Sequence, residues 1–283
     1  MADAPAGGDN RTEAVSNHQY AIDLARALAG ALIFAYPLIM TMEMWSIGFY
    51  IEPVRLLMFL VLGLGVLVGL AYYNGFEAGG GSLEAVMDGL TAYGAGFLGS
   101  AAIMWLLGIL TSDLGWRDVV GMVAIQAVPA GIGATVARKQ LGGSGDEDPE
   151  EDQAGYLGQL FLMAAGALFL GFNVAPTEEM ILITFAMSPV QLIGLMAFSI
   201  VLLHVLVYTV GFAGQARQVE GVGSWTIFFT YTLAGYGLAL LLSAYVLWTF
   251  GRTDDASLSL VAMMTVVLAF PASLGAGIAR LVV

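Results

Sequence analysis

Long apolar runs constrain this chain more than any other feature of its sequence. A helix needs about 20 residues to cross the roughly 30 Å hydrocarbon core of a bilayer. We predict eight such spans, and we therefore expect an all-α polytopic membrane protein. Their approximate bounds are 24–49, 54–73, 84–110, 118–137, 157–174, 190–210, 225–250 and 258–281.

The composition agrees with a membrane protein and removes several enzyme classes. Of the 283 residues, 59% are apolar and only 11% are charged, which leaves too little polar surface for a water-soluble globule. The chain has no cysteine, so disulfides, cysteine-ligated zinc and a thiol nucleophile are all excluded. No enzymatic motif is present, and we expect neither catalysis nor a cofactor.

The polar segments of the chain are strongly acidic. The formal net charge is −13, and acidic residues are densest in DEDPEED at residues 146–152. This composition resembles that of extreme halophiles. Acidity of this kind argues against nucleic acid as a partner, because nucleic acid carries the same sign of charge. The partners we expect are the lipid bilayer, a small cation and, in a homo-oligomer, further copies of the chain.

Basic residues predict the orientation of the chain in the cell membrane. The polar start of the chain lacks the basic and apolar regions of a signal peptide, so the first helix is expected to direct insertion. The positive-inside rule places the more basic side in the cytoplasm, together with both termini and the acidic linker. That side carries Arg11, Arg26, Arg138, Lys139, Arg217 and Arg280, and the opposite side carries Arg55, Arg117 and Arg252.

The two halves of the chain repeat one another. AGALIFAYPLIMTMEMWSIGFYIEPV from Ala29 aligns without a gap on AGALFLGFNVAPTEEMILITFAMSPV from Ala165, and PAGIGATVAR from Pro129 aligns on PASLGAGIAR from Pro271. Four spans in each copy would relate the copies by a pseudo-twofold axis along the membrane normal. We therefore divide the chain into a disordered polar N-terminus, a first repeat, an acidic linker and a second repeat, at residues 1–20, 21–141, 142–155 and 156–283.

The stretch NVAPTEEM, residues 173–180, interrupts an apolar run with polar residues. A proline inside a helix frees the carbonyl four residues earlier, here that of Phe172, and the Asn173 amide is one candidate donor to it. We expect helix breaks at Pro176 and, in the first repeat, at Pro37. With Pro176 at the first helical position, Thr177, Glu178 and Glu179 would form the first turn of a new helix, where the helix dipole favours acidic residues.

Glu43 aligns with Glu179, and carboxylates at membrane depth usually face a protein interior and mark an ion or proton path. One interpretation is a cation path between the repeats, with Glu43 and Glu179 as ligands or proton carriers, assisted by Glu178, Asn173 and Thr177. The other is that the glutamates reach water at the membrane edge, as in a sensor or scaffold that transports nothing. Both interpretations stay open on the sequence.

Two other polar residues lie within predicted spans. His204 is a second-rank candidate for a proton relay, beside the alternative that it is a hydrogen-bonded packing residue, and its repeat partner is Val68. Gln126 is a weaker candidate for a functional residue, because the residue aligned with it in the other repeat, Leu268, is apolar. The sequence does not identify any residue as a metal ligand.

The paired proline and glutamate segments and the four-plus-four plan resemble a family of prokaryotic integral membrane proteins that carries no assigned function. The resemblance covers residues 20–283. It implies the eight-helix fold and no activity, and it adds no catalytic residue.

Overall fold

The computed structural model describes residues 17–73, 82–141, 155–214 and 224–282, and the chain is helical in all four ranges. Most of the predicted N-terminal segment and of the acidic linker lies outside these residues. The helices are α1 (Asn17–Met40), α2 (Met42–Tyr50), α3 (Pro53–Tyr73), α4 (Ser82–Leu106), α5 (Trp116–Leu141), α6 (Tyr156–Val174), α7 (Glu178–Ala186), α8 (Pro189–Gly214), α9 (Ser224–Ile227), α10 (Ala234–Thr249) and α11 (Leu258–Val282), with a π-helical segment (Phe228–Leu233) joining α9 to α10.

The expected all-α membrane architecture is confirmed. In the described ranges, seven helices are long and apolar enough to cross a membrane, and the number rises to eight if the bent pair α1 and α2 counts as one span. The predicted span 24–49 is that pair. It is not a straight helix, because Leu24–Met40 and Met42–Tyr50 meet at 83°. Hydropathy predicts that a segment is apolar but not the direction in which it runs.

A short polar signal fixes where α8 begins. Ser188 precedes Pro189 at the start of α8, and the Ser188 backbone N–H and hydroxyl both lie within 2.9 Å of the Gln191 side-chain oxygen. The Gln191 N–H in turn points to the Ser188 hydroxyl at 3.4 Å, which completes a reciprocal cap. Proline is well suited to the first helical position, because the N–H that it lacks would have no acceptor within the helix there. Its φ angle is also already set for the helix.

Helices of the first half pack together in the same pairs as helices of the second. α1 lies mainly along α5, and α6 lies mainly along α11. The two halves meet through α3, which contacts α6 and α10, and through α5 against α6. Near the end of this interface at which α3 begins and α6 and α10 end, the rings of Phe59, Phe172 and Phe250 are each at most 2% exposed.

The helices and loops alternate between two ends of the bundle. α2, the loop 107–115, α7 and the loop 250–257 lie at one end, which we call the break face because both helix breaks are there. The connections at the other end fall largely outside the described residues.

Close backbone approach holds α2 against α5. A Cβ added at Gly48 would overlap the backbone of Gly121 and Met122. Small residues at such crossings allow the van der Waals contact that holds membrane helices together where lipid supplies no hydrophobic drive. The orientation of α2 across the break face therefore depends on the absence of a side chain at position 48.

We expect Gly48→Ala to lower the melting temperature of the detergent-purified protein, because α2 has to move away from the α5 backbone. Gly65→Ala is the matched control, since nothing lies within 4 Å of a Cβ at Gly65 in α3. Alanine is the better helix former, by about 0.5–1 kcal/mol, so the control should melt at the same temperature or higher. Equal melting temperatures for the two variants would contradict the close crossing.

Candidate functional site at the break face

The first helix break lies at Thr41, between α1 and α2. Pro37 is accommodated within α1, and the helix continues to Met40 before it ends. The Thr41 hydroxyl turns back and donates to the Leu38 carbonyl at 2.9 Å. Glu43 follows in the first turn of α2 and is partly buried. The break therefore comes one turn after the proline at which we expected it.

The second break, between α6 and α7, has the same local geometry. The Thr177 hydroxyl donates to the Val174 carbonyl at 2.9 Å. Helix α7 begins at Glu178, with Thr177 as its N-cap, so Thr177 precedes the first turn in which we expected it. Glu178 and Glu179 do occupy that turn, and both are exposed. Each half thus ends one helix and starts another around an equivalent threonine.

Asn173, one candidate donor to the Phe172 carbonyl, bonds elsewhere. Its side-chain amide donates to the Phe169 carbonyl, one turn back in its own helix, at 2.8 Å. A carbonyl four residues earlier is the nearest acceptor for a short side chain on a helix, which explains the difference. Asn173 therefore stabilises the end of α6 and is not turned toward the break.

Arg252 reaches the second break from the loop between α10 and α11. Its guanidinium group donates through Nη2 to the carbonyl of Pro176, the buried proline that separates α6 from α7. Arg252 also lies within electrostatic range of Tyr50 at the end of α2, as does Glu178. The end of α2 and the start of α7 therefore face the same guanidinium group.

Arg55 connects the two halves at the break face. Its guanidinium group binds both carboxylate oxygens of Asp254, at 2.8 and 2.9 Å, and donates to the Trp248 carbonyl at 3.0 Å. The same group lies 5.1 Å from the centre of the Trp248 ring and forms an ion pair with Glu52 at 3.3 Å. The bidentate contact of Arg55 with Asp254 combines charge with a fixed orientation. It joins α3 of the first half to the loop after α10.

The pKa of the Asp254 carboxyl is lowered from its ordinary value, chiefly by the hydrogen bond from Arg55. Sequence reasoning assigned Arg55 and Arg252 only to a side of the membrane and singled out neither as a site residue. Their partners lie far away in the sequence, 199 residues in the case of Arg55 and Asp254, and no local pattern signals such a contact.

An aromatic cluster lies between the two halves. The ring centres of Phe59 and Phe172 are 5.4 Å apart, those of Phe59 and Phe250 are 5.8 Å apart, and those of Phe172 and Phe250 are 6.4 Å apart. The rings are inclined to one another by between 39° and 72°, within the range that favours aromatic packing. The interface is therefore filled and apolar where these three rings meet.

The carboxylates predicted to act together have no protein partner in the described part of the chain. Glu43, Glu178 and Glu179 form no side-chain hydrogen bond or ion pair there. No group of three or more histidine, aspartate and glutamate side chains in the same ranges is placed to hold a metal ion.

His204, the second-rank candidate, lies on α8 beside the π-helical segment. Its Nδ1 is 2.9 Å from the hydroxyl of the buried Thr232, and its ring is 5.5 Å from that of Phe228. A π-helical turn in a helix often marks a functional position, and here it presents Thr232 to the imidazole. The contact supplies the hydrogen-bonded packing that we gave as the alternative to a proton relay.

Comparison with known proteins identifies the family. Residues 23–283 match a family described as "Putative integral membrane protein (DUF2391)". The chain belongs to this family. The resemblance seen in the sequence is thereby confirmed over nearly the whole chain, as is the integral membrane character. No curated protein and no solved structure matches the chain.

In this DUF2391 member, we expect Asp254→Asn to lower the melting temperature at pH 7, because the variant loses the ion pair with Arg55. About half of the Asp254 side chain is exposed, at 53%, so the loss should be about 0.5–1 kcal/mol. Because the pKa is lowered in the folded protein, the stabilisation is complete above the ordinary pKa of about 3.9 and is lost as the pH falls through the folded pKa.

The difference between wild type and Asp254→Asn should therefore close as the pH falls through the lowered pKa of Asp254. Asp255→Asn is the control, since Asp255 is exposed and forms no ion pair among the described residues. Asp255 has a backbone φ of 55°, which asparagine adopts as readily as aspartate. A pH-independent difference for Asp254→Asn, or an equal effect of both variants, would contradict the ion pair.

Proposed function

We propose that this protein transports a small cation or a proton through a path between its two halves, as a channel or a carrier. The observation that carries the proposal is the pair of equivalent helix breaks, each followed two residues later by a glutamate. Broken helices with carboxylates nearby are the usual means by which transporters expose backbone oxygens and charge to an ion. Glu43 and Glu179 are the proposed ligands or proton carriers, and Glu178 assists them.

Two four-helix repeats form part of the proposal. Thr41 and Leu38 form the same hydrogen bond as Thr177 and Val174. In the sequence alignment of the two halves, Thr41 falls on Thr177 and Leu38 falls on Val174. The parallel pairing of α1 with α5 and of α6 with α11 supports the same division. The pseudo-twofold axis would then run along the membrane normal.

The charge of the break face favours cations. Its charged side chains are mostly acidic, and a single sign of charge around a path raises the local concentration of the opposite ion. The acidic residues there are Glu43, Glu52, Asp113, Asp118, Glu178, Glu179, Asp254 and Asp255, and the basic residues are Arg55, Arg117 and Arg252.

The aromatic cluster defines the conformation in which the path is closed. Phe59, Phe172 and Phe250 fill the interface, so an ion can cross between the halves only if these rings move apart. Closure by apolar side chains is one established way in which membrane pores are gated, and rocking of repeats is the corresponding movement in carriers. We propose that the contacts of Arg55 hold the closed arrangement.

A sensor or scaffold that transports nothing is the second candidate. The same filled interface favours it, as does the exposure of Glu178 and Glu179. In that role the glutamates would stabilise the start of α7 through the helix dipole and reach water at the membrane edge. The two candidates differ in whether the glutamates affect flux.

The proposal places the protein in the cell membrane with both termini in the cytoplasm and the break face outside. The lipid bilayer and a small cation are its partners, and homo-oligomers are compatible with it. We assign it no catalytic activity, cofactor or nucleic-acid partner.

Flux into liposomes tests the proposal, with H⁺, Na⁺, K⁺ and Ca²⁺ measured separately. We expect Glu43→Gln and Glu179→Gln each to reduce flux about tenfold or more, the change that corresponds to 1.4 kcal/mol of lost interaction with the ion. Glu84→Gln is the matched control, because Glu84 is an exposed first-turn glutamate of α4 at the opposite end of the bundle.

Wild-type liposomes that behave like empty ones for every ion, across pH and voltage, would favour the sensor or scaffold. Flux that persists unchanged in both glutamate variants would place any path away from the breaks.

A further inference from the structure

A polar pair lies between α8 and the π-helical segment in the second half. His204 Nδ1 is 2.9 Å from the hydroxyl of Thr232, which is 0% exposed. Threonines elsewhere in the spans, such as Thr184 and Thr265, donate to the carbonyl four residues earlier in their own helix. The Thr232 hydroxyl does not bond to the corresponding carbonyl, that of Phe228. Among the described residues, His204 is its one hydrogen-bond partner.

This arrangement determines where the hydrogen of the imidazole lies. A buried hydroxyl that only accepts a hydrogen bond leaves its own hydrogen without a partner, which is costly in an apolar interior. The Thr232 hydroxyl therefore donates, and His204 Nδ1 accepts. An imidazole whose Nδ1 accepts is neutral and carries its hydrogen on Nε2. A second proton can enter at Nδ1 only if the hydroxyl hydrogen turns to another acceptor.

The corresponding place in the first half follows from the sequence register of α4 and α10. Val68 falls on His204, and Gly89 falls on Thr232. The second match belongs to a register that also aligns a tyrosine, a glycine, a serine and a tryptophan of the two halves. These residues are Tyr93, Gly94, Ser100 and Trp105, which fall on Tyr236, Gly237, Ser243 and Trp248.

Neither the polar pair nor a π-helical turn is present at this place in the first half. Helix α4 is α-helical throughout Ser82–Leu106. Gly89 packs directly on α3, since a Cβ added there would lie 2.9 Å from the Val68 backbone nitrogen. The α-helical form therefore occurs with glycine at the contact, and the π-helical form occurs with Thr232 bonded to His204.

We propose that His204 is a proton-binding site, and that a proton on Nδ1 converts the π-helical turn into α-helix. When Nδ1 takes a proton from water, the imidazole gains one positive charge and Nδ1 becomes a donor. The Thr232 hydroxyl hydrogen then turns to the Phe228 carbonyl, which is the ordinary acceptor for a threonine in an α-helix. Backbone bonds of an α-helix end at the same carbonyl, four residues back, whereas those of a π-helix reach five residues back.

His204 supplies the change of charge at this place. The elements that pack against α8 are mainly the π-helical segment, α10 and α11. Their titratable side chains, within the described part of the chain, are Tyr231, Tyr236 and Tyr245, and tyrosine is neutral in the range in which imidazole titrates. The Phe228 ring is 5.5 Å from the imidazole, a distance at which an aromatic ring attracts a cation.

Conversion of the turn would rotate α9 and reach the start of α6. A shift of one residue in the hydrogen-bond register corresponds to a rotation of about 100°. The Tyr156 hydroxyl, on the first residue of α6, donates to the Thr230 carbonyl at 2.9 Å, and its ring is 5.5 Å from that of Tyr231. This role does not depend on the proposed transport, because a proton-driven rotation serves a carrier or a pH sensor alike.

Spin labels on the two sides of the π-helical turn test the proposal in the full chain. Because the chain has no cysteine, Ser224→Cys and Leu241→Cys introduce the two label sites, at the start of α9 and at an exposed position of α10. Between pH 8 and pH 5, the range of imidazole titration, we expect the distance between the labels to change by about 3 Å or more, since a rotation of this size displaces a side chain by about the radius of the helix.

The matched control is a label pair on α4, at Ser82→Cys and Leu98→Cys. These positions are likewise the start of the helix and an exposed residue within it, and no π-helical turn separates them. Their distance should be the same at both pH values. In the α9–α10 pair, Thr232→Val and His204→Val each remove the hydrogen bond, so each variant should show the low-pH distance at both pH values.

Nuclear magnetic resonance of ¹⁵N-labelled histidine supplies a second measurement if these variants do not fold. The chain has two histidines, so His18→Gln leaves His204 as the one labelled imidazole. At pH 8, Nδ1 should give the signal of an unprotonated ring nitrogen, and at pH 5 both ring nitrogens should give those of imidazolium.

An α9–α10 distance that is the same at both pH values would overturn the proposal and leave the pair of His204 and Thr232 as a packing contact. A pH response that persists in His204→Val or Thr232→Val, or one of equal size in the α4 pair, would also overturn it. So would a proton on Nδ1 at pH 8. Flux that depends on Glu43 and Glu179 would stand in each of these cases.

Discussion

Hydrogen bonding of the backbone within the membrane is the constraint on which the structure depends. An apolar helix satisfies its own polar groups, whereas a break releases carbonyls and amides that lipid cannot bind. The chain handles both breaks with a threonine whose hydroxyl returns to the carbonyl three residues earlier, that of Leu38 or Val174. Since these hydroxyls act within one turn, each break satisfies one of its carbonyls locally.

The two halves differ in what they add to this common solution. The first half supplies Gln126, a buried neutral amide, and the second supplies Arg252, a charged group that donates to the Pro176 carbonyl from a loop. In the repeat registers, Leu268 and Leu110 occupy the positions of Gln126 and Arg252 in the other half. Neither addition is therefore needed to form a break. If the halves are the repeats that we propose, these two residues mark positions at which the copies differ.

The sequence predicted the parts of the fold that arise from local patterns. Apolar length located the spans, and the predicted start of the sixth span at residue 190 lies one position from Pro189, the first residue of α8. The direction of α2 was not predictable in this way, because its 83° turn depends on the close approach of Gly48 to α5. The break after Pro37 was misplaced by one turn, since a membrane helix accommodates a proline when its surroundings satisfy the freed carbonyl.

The same distinction applies to the candidate site. Glu178 and Glu179 were correctly placed in the first turn of a helix, because the helix dipole acts locally. The contacts of Arg55 and the packing of Phe59 against Phe172 and Phe250 join segments more than 100 residues apart in the sequence. Such contacts follow from how the halves dock, which no spacing of residue types encodes.

The docking also shows which parts can move as units. The bond from Gln126 to Leu38 lies within the first half and that from Arg252 to Pro176 lies within the second, whereas Arg55 and Asp254 bridge the two. Lipid can replace the aromatic contacts in the interface with little change in hydrophobic energy, because its tails are as apolar as the rings. The orientation of the halves therefore depends heavily on the partly exposed contacts of Arg55, and those are the contacts that salt screens. A movement between the halves would break these bonds and leave both helix breaks intact.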